Sequence, residues 1–155
     1  MMKGRSVAIL TILLIALAST TSFEARQAGI DKGGDGGCSC HGGMNGNTQI
    51  TIDGLPDTFN ASEEYLFTLT ITNDDVAIEN PDQNGGFRII LTGGGVLESV
   101  PDIDGNTAQE MDGGLTHTMD INDRRTWEFK WTAPSDDTAI SDFLIYGNAV
   151  NGNAA

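Results

Sequence analysis

The sequence predicts an all-β fold, an antiparallel β-sandwich of immunoglobulin-like shape, and three observations support this prediction. From Thr48 onward, apolar and polar residues alternate in short runs with the period of two that strands have. Gly, Asn, Asp and Pro residues separate these runs and mark turns. No stretch of this region has the apolar period of a long helix, so an all-helical fold is disfavoured.

The first 18 residues are typical of a secretory signal peptide. Lys3 and Arg5 precede an uncharged apolar run, residues 7–18, which ends in small side chains. The run has twelve residues, whereas a helix that spans a bilayer needs about 20. We therefore expect a secreted or envelope-associated protein, attached to a membrane only through an anchor beyond Ala155.

Residues 19–47 are predicted to form a flexible, Gly-rich leader ahead of the sandwich, residues 48–155. The leader has almost no large apolar side chain, so it cannot bury enough surface to offset the entropy of ordering it. It holds both cysteines of the chain, in the motif Cys38-Ser39-Cys40-His41. Two thiols and an imidazole this close together can hold haem, bind a metal or cross-link.

A c-type haem is the first of three alternatives for this motif. Covalent attachment ordinarily uses Cys-x-x-Cys-His, in which two thiols reach two vinyl groups and the His is an axial ligand. The spacing here is one residue shorter, which puts double attachment in doubt. A single thioether with His41 as axial ligand remains open, with a second ligand drawn from His117, Met44, Met111 or Met119.

A metal site and a disulfide are the other two alternatives. Cys38, Cys40, His41 and His117 supply two thiolates and two imidazoles, a ligand set that suits zinc or copper. In an exported protein, neighbouring thiols also tend to oxidise, although a bridge between Cys38 and Cys40 would close a very short, strained loop. The sequence leaves all three alternatives open.

Seven strands are predicted in the sandwich. In the strongest, Tyr65, Phe67, Leu69 and Ile71 share one face, and another carries three alternating aromatic residues on one face. In chain order, the predicted strands are residues 48–52, 65–72, 87–91, 96–99, 115–121, 126–131 and 140–148.

His117 falls in the fifth of these strands. The alternation places it on one face with Leu115, Met119 and Ile121, and we expect that face to point inward. A neutral imidazole buried there needs a hydrogen-bond partner. Both a structural, hydrogen-bonded histidine and a ligand of haem or metal are compatible with this position.

Two loops carry further candidate sites. Asp102, Asp104 and Asn106 alternate with Ile103 and Gly105, a pattern that can wrap calcium, but the glycine is misplaced for an EF-hand and a solvated acidic turn is favoured. A second acidic turn contains Asp74, Asp75, Glu79 and Asp82.

The sequence Asn60-Ala61-Ser62 matches the acceptor pattern for N-glycosylation on a surface turn.

Four segments together resemble the reelin-type, or Reeler-like, extracellular β-sandwich, over residues 36–152. The resemblance is greatest to a microbial branch of exported proteins, described as choice-of-anchor domains, in which a Cys-His segment precedes the sandwich. It implies an adhesion-like or envelope-associated module that is usually followed by a surface anchor. The Thr-His pair that such sandwiches carry in the fifth predicted strand also implies a structural, hydrogen-bonded role for His117 rather than a ligand role. The segments are Gly85-Gly86-Phe87, Leu115-Thr116-His117-Thr118, Trp127-Glu128-Phe129-Lys130-Trp131-Thr132-Ala133-Pro134 and Tyr146-Gly147-Asn148-Ala149-Val150-Asn151-Gly152.

The charge of the chain restricts its partners. Without Lys3 and Arg5, six of the 8 basic residues remain against 22 acidic ones, a net charge of −16. Nucleic acid and anionic membrane surfaces are therefore excluded as partners, whereas divalent cations would be attracted. The basic doublet Arg124-Arg125 is predicted to form salt bridges with the acidic surface.

The function predicted from these observations is that of an exported binding or adhesion module, with an extracellular or envelope protein or glycan as its partner. Enzyme motifs are not found: the chain has no Gly-x-Ser-x-Gly, no His-Glu-x-x-His and no phosphate-binding loop before a helix. The alternative is an electron-transfer or redox protein with c-type haem, copper or zinc at Cys38, Cys40 and His41.

Overall fold

The computed structural model describes residues 28–30, 46–78 and 82–151. These residues form eight β-strands and one short 3-10 helix, Met119–Ile121. No helix among them is long and apolar enough to cross a membrane. The strands are β1 (Thr48–Asp53), β2 (Glu64–Asn73), β3 (Gly85–Gly93), β4 (Val96–Ser99), β5 (Gln109–Met111), β6 (Gly114–Thr116), β7 (Thr126–Thr132) and β8 (Ser141–Ala149).

The strands form two four-stranded sheets that pack face to face. The first sheet has the order β1-β2-β7-β4 and the second has the order β5-β6-β3-β8. Every pair of neighbouring strands is antiparallel. The predicted fold class, an antiparallel β-sandwich, is confirmed.

The core lies between β2 and β7 of the first sheet and β3 of the second. Alternation puts the aromatic residues of β7 inward, and Phe129 lies directly opposite Phe67 of β2 with stacked rings 5.3 Å apart. Phe87 of β3 meets Phe129 edge to face at 5.2 Å from the facing sheet. Each of these rings is at most 2% exposed, and burying a side chain of this size contributes roughly 1.5–3 kcal/mol.

The two sides of the sandwich differ. On one side β1 and β8 approach each other, and Ile50 and Ile71 lie so close to Gly147 that a Cβ there would fall 2.6 Å from Ile71 Cδ1. On the other side the sheets end in the short strands β4 and β5. The sandwich is therefore closed along β1 and β8 and less tightly covered along β4 and β5.

One predicted strand, residues 115–121, is wrong in its extent. Strand β6 ends at Thr116, and the chain then turns into the 3-10 helix, where Met119 is 58% exposed while Ile121 is buried. The carbonyl of Ile121 accepts a hydrogen bond of 2.7 Å from the indole of Trp127, which holds this turn against the core. The alternation of apolar residues over 115–121 is therefore not that of one strand. It arises because the turn after β6 brings Ile121 back to the core.

Strand β5 was missed by the sequence analysis. It pairs with β6 through the turn Asp112-Gly113, whose residues have φ of 48° and 77°. Two successive residues with positive φ are typical of the tight hairpin turns for which Asp-Gly is preferred. The Asp-Gly pair was the signal in the sequence that predicts this hairpin.

Candidate functional site

The Cys-x-Cys-His motif lies outside the described residues. Cys38, Cys40 and His41 fall between Ile30 and Gly46, where the described chain stops and resumes. Haem attachment, metal binding and a disulfide therefore all stay predictions. Within the part of the chain that the structure describes, no group of three or more His, Cys, Asp or Glu side chains is arranged to hold a metal ion.

Residues 28–30 of the predicted leader lie on the outer face of the second sheet; we call them the docked segment. The amide of Ile30 donates to Thr116 Oγ1 at 2.9 Å, and the carbonyl of Ile30 accepts from Arg88 Nη1 at 3.0 Å. The side-chain amide of Gln109 donates to the carbonyl of Ala28. Three side chains thus hold the backbone of the docked segment, so these contacts need little apolar surface.

Arg88 is the centre of these contacts. It is fully buried, and besides Ile30 it donates to the carbonyls of Met111 at 2.8 Å and Asp112 at 3.2 Å. Hydrogen bonds from a guanidinium are charge-assisted and stronger than those between neutral groups. Arg88 therefore fastens both the docked segment and the turn between β5 and β6. The sequence analysis did not single out this residue, since nothing in its own strand indicates what covers it.

His117 is buried, with 4% of its surface exposed, and makes backbone contacts with β3. Its Nδ1 accepts a hydrogen bond from the amide of Phe87 at 3.1 Å. The carbonyl of Phe87 accepts from the Thr116 hydroxyl at 2.8 Å and from the His117 amide at 3.4 Å. The imidazole therefore takes the place of a backbone acceptor where the ladder between β3 and β6 ends.

This geometry bears on the predicted ligand role of His117. Nδ1 also lies 3.2 Å from the carbonyl oxygen of Phe87, so both neutral tautomers of the ring have a hydrogen-bond partner in the backbone of β3. The contacts favour a structural role for His117, and its role as a second ligand stays a prediction.

Gly86 makes room for this ring. A Cβ at this position would lie 2.6 Å from Cε1 and 3.0 Å from both nitrogens of His117. No side chain fits at such a distance without moving the ring. The Gly85-Gly86-Phe87 segment thus allows the imidazole to reach the backbone of β3.

Asp102 organises the loop that was predicted as a weak calcium site. Its Oδ1 accepts from the amides of Asp104 at 2.9 Å and Asn106 at 2.8 Å. Its Oδ2 accepts from Arg124 Nη1 at 3.0 Å and from the Asn106 side chain at 3.3 Å. The hydrogen bond from the Asn106 amide is the main cause of a lowered pKa for Asp102.

The calcium prediction gains little from this arrangement. Both oxygens of Asp102 already accept hydrogen bonds, while Asp104 contributes its backbone amide and is exposed. A cation at this loop would have to displace the guanidinium of Arg124. The loop is a turn held by its own hydrogen bonds, and calcium binding stays a prediction.

The two arginines of the basic doublet differ in their partners. Arg124 forms the predicted salt bridges, with Asp102 at 3.0 Å and Asp123 at 2.6 Å, and its pKa is raised chiefly by the hydrogen bond to Asp123. Arg125 instead donates to three carbonyls, those of Asn84, Val76 and Val150, at 2.8–3.0 Å, and burial lowers its pKa. Arg125 therefore ties two loops to the end of β8.

Asn60 lies exposed in the turn before β2, where the glycosylation pattern placed it. Its amide donates to the Tyr65 hydroxyl at 2.8 Å, and its side chain donates to Glu63. Glycosylation at Asn60 stays a prediction.

In the second acidic turn, Asn73 Oδ1 accepts from the amides of Asp75 at 2.9 Å and Val76 at 3.2 Å. This side chain shapes the turn after β2. Asp74 and Asp75 are exposed there, as is Asp82, whereas Glu79 lies outside the described residues.

No protein-family model and no curated protein matches the chain. Among solved structures, the chain is similar to the Reelin-N domain of F-spondin, with 18% identity and a TM-score of 0.41 over 69% of this chain and 86% of that one. The human F-spondin reeler domain (fragment 1) has 15% identity and a TM-score of 0.38, over 67% and 87% of the two chains. A conjugate transposon protein (residues 27-141) from Bacteroides vulgatus has 18% identity and a TM-score of 0.37, over 68% and 86%. Values this low transfer no function to the chain.

Proposed function

We propose that the chain is an exported, Reeler-like β-sandwich that binds a partner outside the cytoplasm and has no catalytic activity of its own. The partner is a protein or a glycan of the envelope or the extracellular space. The N-terminal segment is typical of a signal peptide, which supports this location. The strongly acidic charge of the chain argues against nucleic acid as the partner. The observation that carries the proposal is the exposed outer face of the first sheet.

This outer face is rich in hydroxyl groups around its most exposed apolar side chain, Leu66, with Val96 at its β4 edge. Leu66, on the interior strand β2, is 68% exposed although strands lie on both sides of it. Thr70 and Thr126 face outward on neighbouring strands, with hydroxyl oxygens 3.4 Å apart. Hydroxyls donate and accept hydrogen bonds, and an exposed apolar side chain adds area to bury in a contact. The outward threonines are Thr51, Thr68, Thr70, Thr72, Thr126 and Thr132.

Charged groups border Leu66 on the same face. Lys130 lies directly opposite Leu66 on β7, and its Nζ is 3.2 Å from a carboxylate oxygen of Glu64 and 2.9 Å from one of Glu98. Two carboxylates around one ammonium leave this part of the face with a negative charge. A partner that offers hydroxyls, amides or cationic groups would fit it better than an anionic one.

The proposal is tested by binding of the purified exported protein to cell-envelope fractions of the producing organism. We expect Leu66→Glu to weaken this binding at least about tenfold, since it removes the apolar centre and adds charge. Ile140→Glu is the matched control, because Ile140 is 74% exposed and lies outside the first sheet. Equal binding by the wild type and Leu66→Glu, or no binding by either, would contradict a role for this face. Treatment of the fractions with protease or glycosidase then distinguishes the two classes of partner.

An electron-transfer or redox role is the rival proposal, and the Cys38-Ser39-Cys40-His41 motif supports it. Two thiols and an imidazole would suit a single-thioether haem, copper or zinc. The visible absorption spectrum of protein made with the haem-maturation machinery, together with metal analysis and a free-thiol assay, tests this role. A Soret band that survives acid-acetone extraction, or one equivalent of copper, would support it. The absence of both haem and stoichiometric metal from the protein would contradict this role.

A further inference from the structure

A slot opens between the two sheets on the side where they end in β4 and β5. Its volume is about 190 Å³. Engineered, enclosed cavities of about 150 Å³ with apolar walls take up benzene. The slot has room for a group the size of a six-membered ring, and it is open to solvent on one side. The residues that line it are Ile89, Leu91, Leu97, Glu110, Gly113, Gly114 and Leu115.

The deep walls of the slot are apolar. Ile89 of β3 is fully buried, and Leu115 lies opposite it on β6 with 6% of its surface exposed. Leu97 of β4 supplies the wall from the facing sheet, next to Trp131. These side chains belong to the core, so the slot is an extension of the core to the surface.

Among the described residues that line the slot, the charged one is Glu110, which lies at the rim. In the register of β5 and β6, Glu110 lies directly opposite Leu115, so both side chains project from the same face of the sheet, toward the slot. The amide of Ala108 donates to Ser99 Oγ at 2.9 Å, which holds the start of β5 close to the end of β4. Glu110 is exposed and lines the slot, which places its carboxylate between apolar walls and solvent.

The nearest fully buried cation faces away from the slot. Arg88 lies opposite Thr116, one position along β3 from the inward pair Ile89 and Leu115. Because successive side chains of a strand point to opposite faces, Arg88 projects from the outer face of the second sheet. There it donates to carbonyls of the docked segment and of the turn between β5 and β6. Its guanidinium packs behind Gly114, on the side of β6 away from the slot, so among the described residues Glu110 is the charged side chain that faces the slot.

We propose that this slot binds a small apolar cation, a ring-sized or short aliphatic group that carries an ammonium. The apolar part lies against the partly exposed Leu91 and Leu97, above the buried Ile89 and Leu115, and the ammonium pairs with the carboxylate of Glu110. The net charge of the exported chain, −16, raises the local concentration of such cations. The slot is distinct from the outer face of the first sheet, so this inference does not depend on the function proposed above.

Three probes of similar size and different charge test the proposal on the exported protein: benzylamine, which is protonated at neutral pH, benzyl alcohol and benzoate. Methyl chemical shifts of Ile and Leu residues report the site of binding. We expect benzylamine to shift the methyl signals of Ile89, Leu97 and Leu115, benzyl alcohol to shift them at higher concentration, and benzoate to leave them unchanged. Glu110→Gln should weaken benzylamine binding about twofold to fivefold, as expected for an exposed ion pair, and leave benzyl alcohol binding unchanged.

Two variants fill the slot and one matched variant does not. Leu97→Phe and Leu91→Phe place a larger side chain in it, and either should abolish the benzylamine shifts at unchanged circular dichroism. Val96→Phe makes the same addition on the outer face of β4, where Val96 is 58% exposed, and should bind benzylamine like the wild type. Shifts that persist in both filled variants, or no shifts in the wild type at millimolar benzylamine, would overturn the proposal. Equal affinity for amine and alcohol in the wild type would overturn the role of Glu110.

Discussion

Nη1 of Arg88 lies 3.0 Å from the carbonyl oxygen of Ile30, a residue 58 positions earlier in the chain. This bond joins the interior of β3 to a segment that precedes the first strand. Ile30 is eight residues before Cys38 in the sequence, so a buried arginine of the sandwich fixes one end of the stretch that contains the Cys-x-Cys-His motif.

Arg88→Met should destabilise the fold and release the docked segment. The variant keeps the length of the side chain but loses its hydrogen bonds to three carbonyls, and hydrogen bonds to charged groups contribute about 1.5–3 kcal/mol each. Since water can replace part of them, we expect a loss of about 2–4 kcal/mol in urea unfolding and faster hydrogen exchange at the Ile30 amide. Arg124→Met, which removes two surface salt bridges, is the control and should cost at most about 1 kcal/mol. Unchanged exchange at Ile30 in Arg88→Met would show that Arg88 does not hold the segment.

Gly86→Ala should force the His117 ring out of its position. The new Cβ would lie 2.6 Å from Cε1, and overpacking of this kind costs about 1–3 kcal/mol. The urea midpoint measures this loss. Gly46→Ala is the control, because nothing lies within 4 Å of a Cβ at Gly46.

A double-mutant cycle isolates the contact between Gly86 and His117. If the clash is with the imidazole, Gly86→Ala should cost much less in a His117→Ala background than in the wild type. An equal cost in both backgrounds would mean that the backbone of β3, and not the ring, resists the added methyl group.

The stability of the protein in acid should depend on Asp102. The amides and Arg124 that donate to its carboxylate lower its pKa below the ordinary value of 3.8. A carboxyl group with a lowered pKa stabilises the folded state above pH 3.8, and this contribution is lost as the pH falls from 3.8 through the lowered pKa. Asp102→Asn should therefore be less stable than the wild type at neutral pH and lose less stability on acidification. A curve for Asp102→Asn that runs parallel to that of the wild type would refute this assignment.

The two central strands of the first sheet could be predicted from sequence because each satisfies one simple pattern. In β2 and β7 every inward residue except Asn73 is aromatic or large and apolar, and every outward residue except Leu66 is small or polar, so register and face follow from the period of two. The fold class depends on such strands. It was predicted correctly although β5 was missed and the extent of β6 was wrong.

The contacts around β6 could not be predicted from the period alone. Thr116 and His117 are neighbours and both buried, because the chain leaves the sheet there and the imidazole turns back to bind the amide of Phe87. The burial of Arg88 depends on a segment distant in sequence whose backbone, and not its side chains, makes the contact. The inward position of Glu110 depends on the hairpin at Asp112-Gly113. The alternation of apolar and polar residues does not by itself determine the register of this hairpin.

Lys130 should control the stability of the protein in alkali. Its pKa is raised above the ordinary value of 10.5, first by the hydrogen bond to Glu98 and then by the one to Glu64. A lysine with a raised pKa stabilises the folded state below pH 10.5, and this contribution is lost as the pH rises through the raised pKa. Urea unfolding between pH 9 and 12 should therefore show a smaller loss of stability for Lys130→Met than for the wild type, and the difference between the two should shrink in 1 M NaCl, where the Debye length is about 3 Å. Glu128→Gln, an exposed change on the same face of β7, should leave the alkaline loss unchanged. If Lys130→Met and the wild type lose stability in parallel, the two carboxylates do not hold the proton on this ammonium.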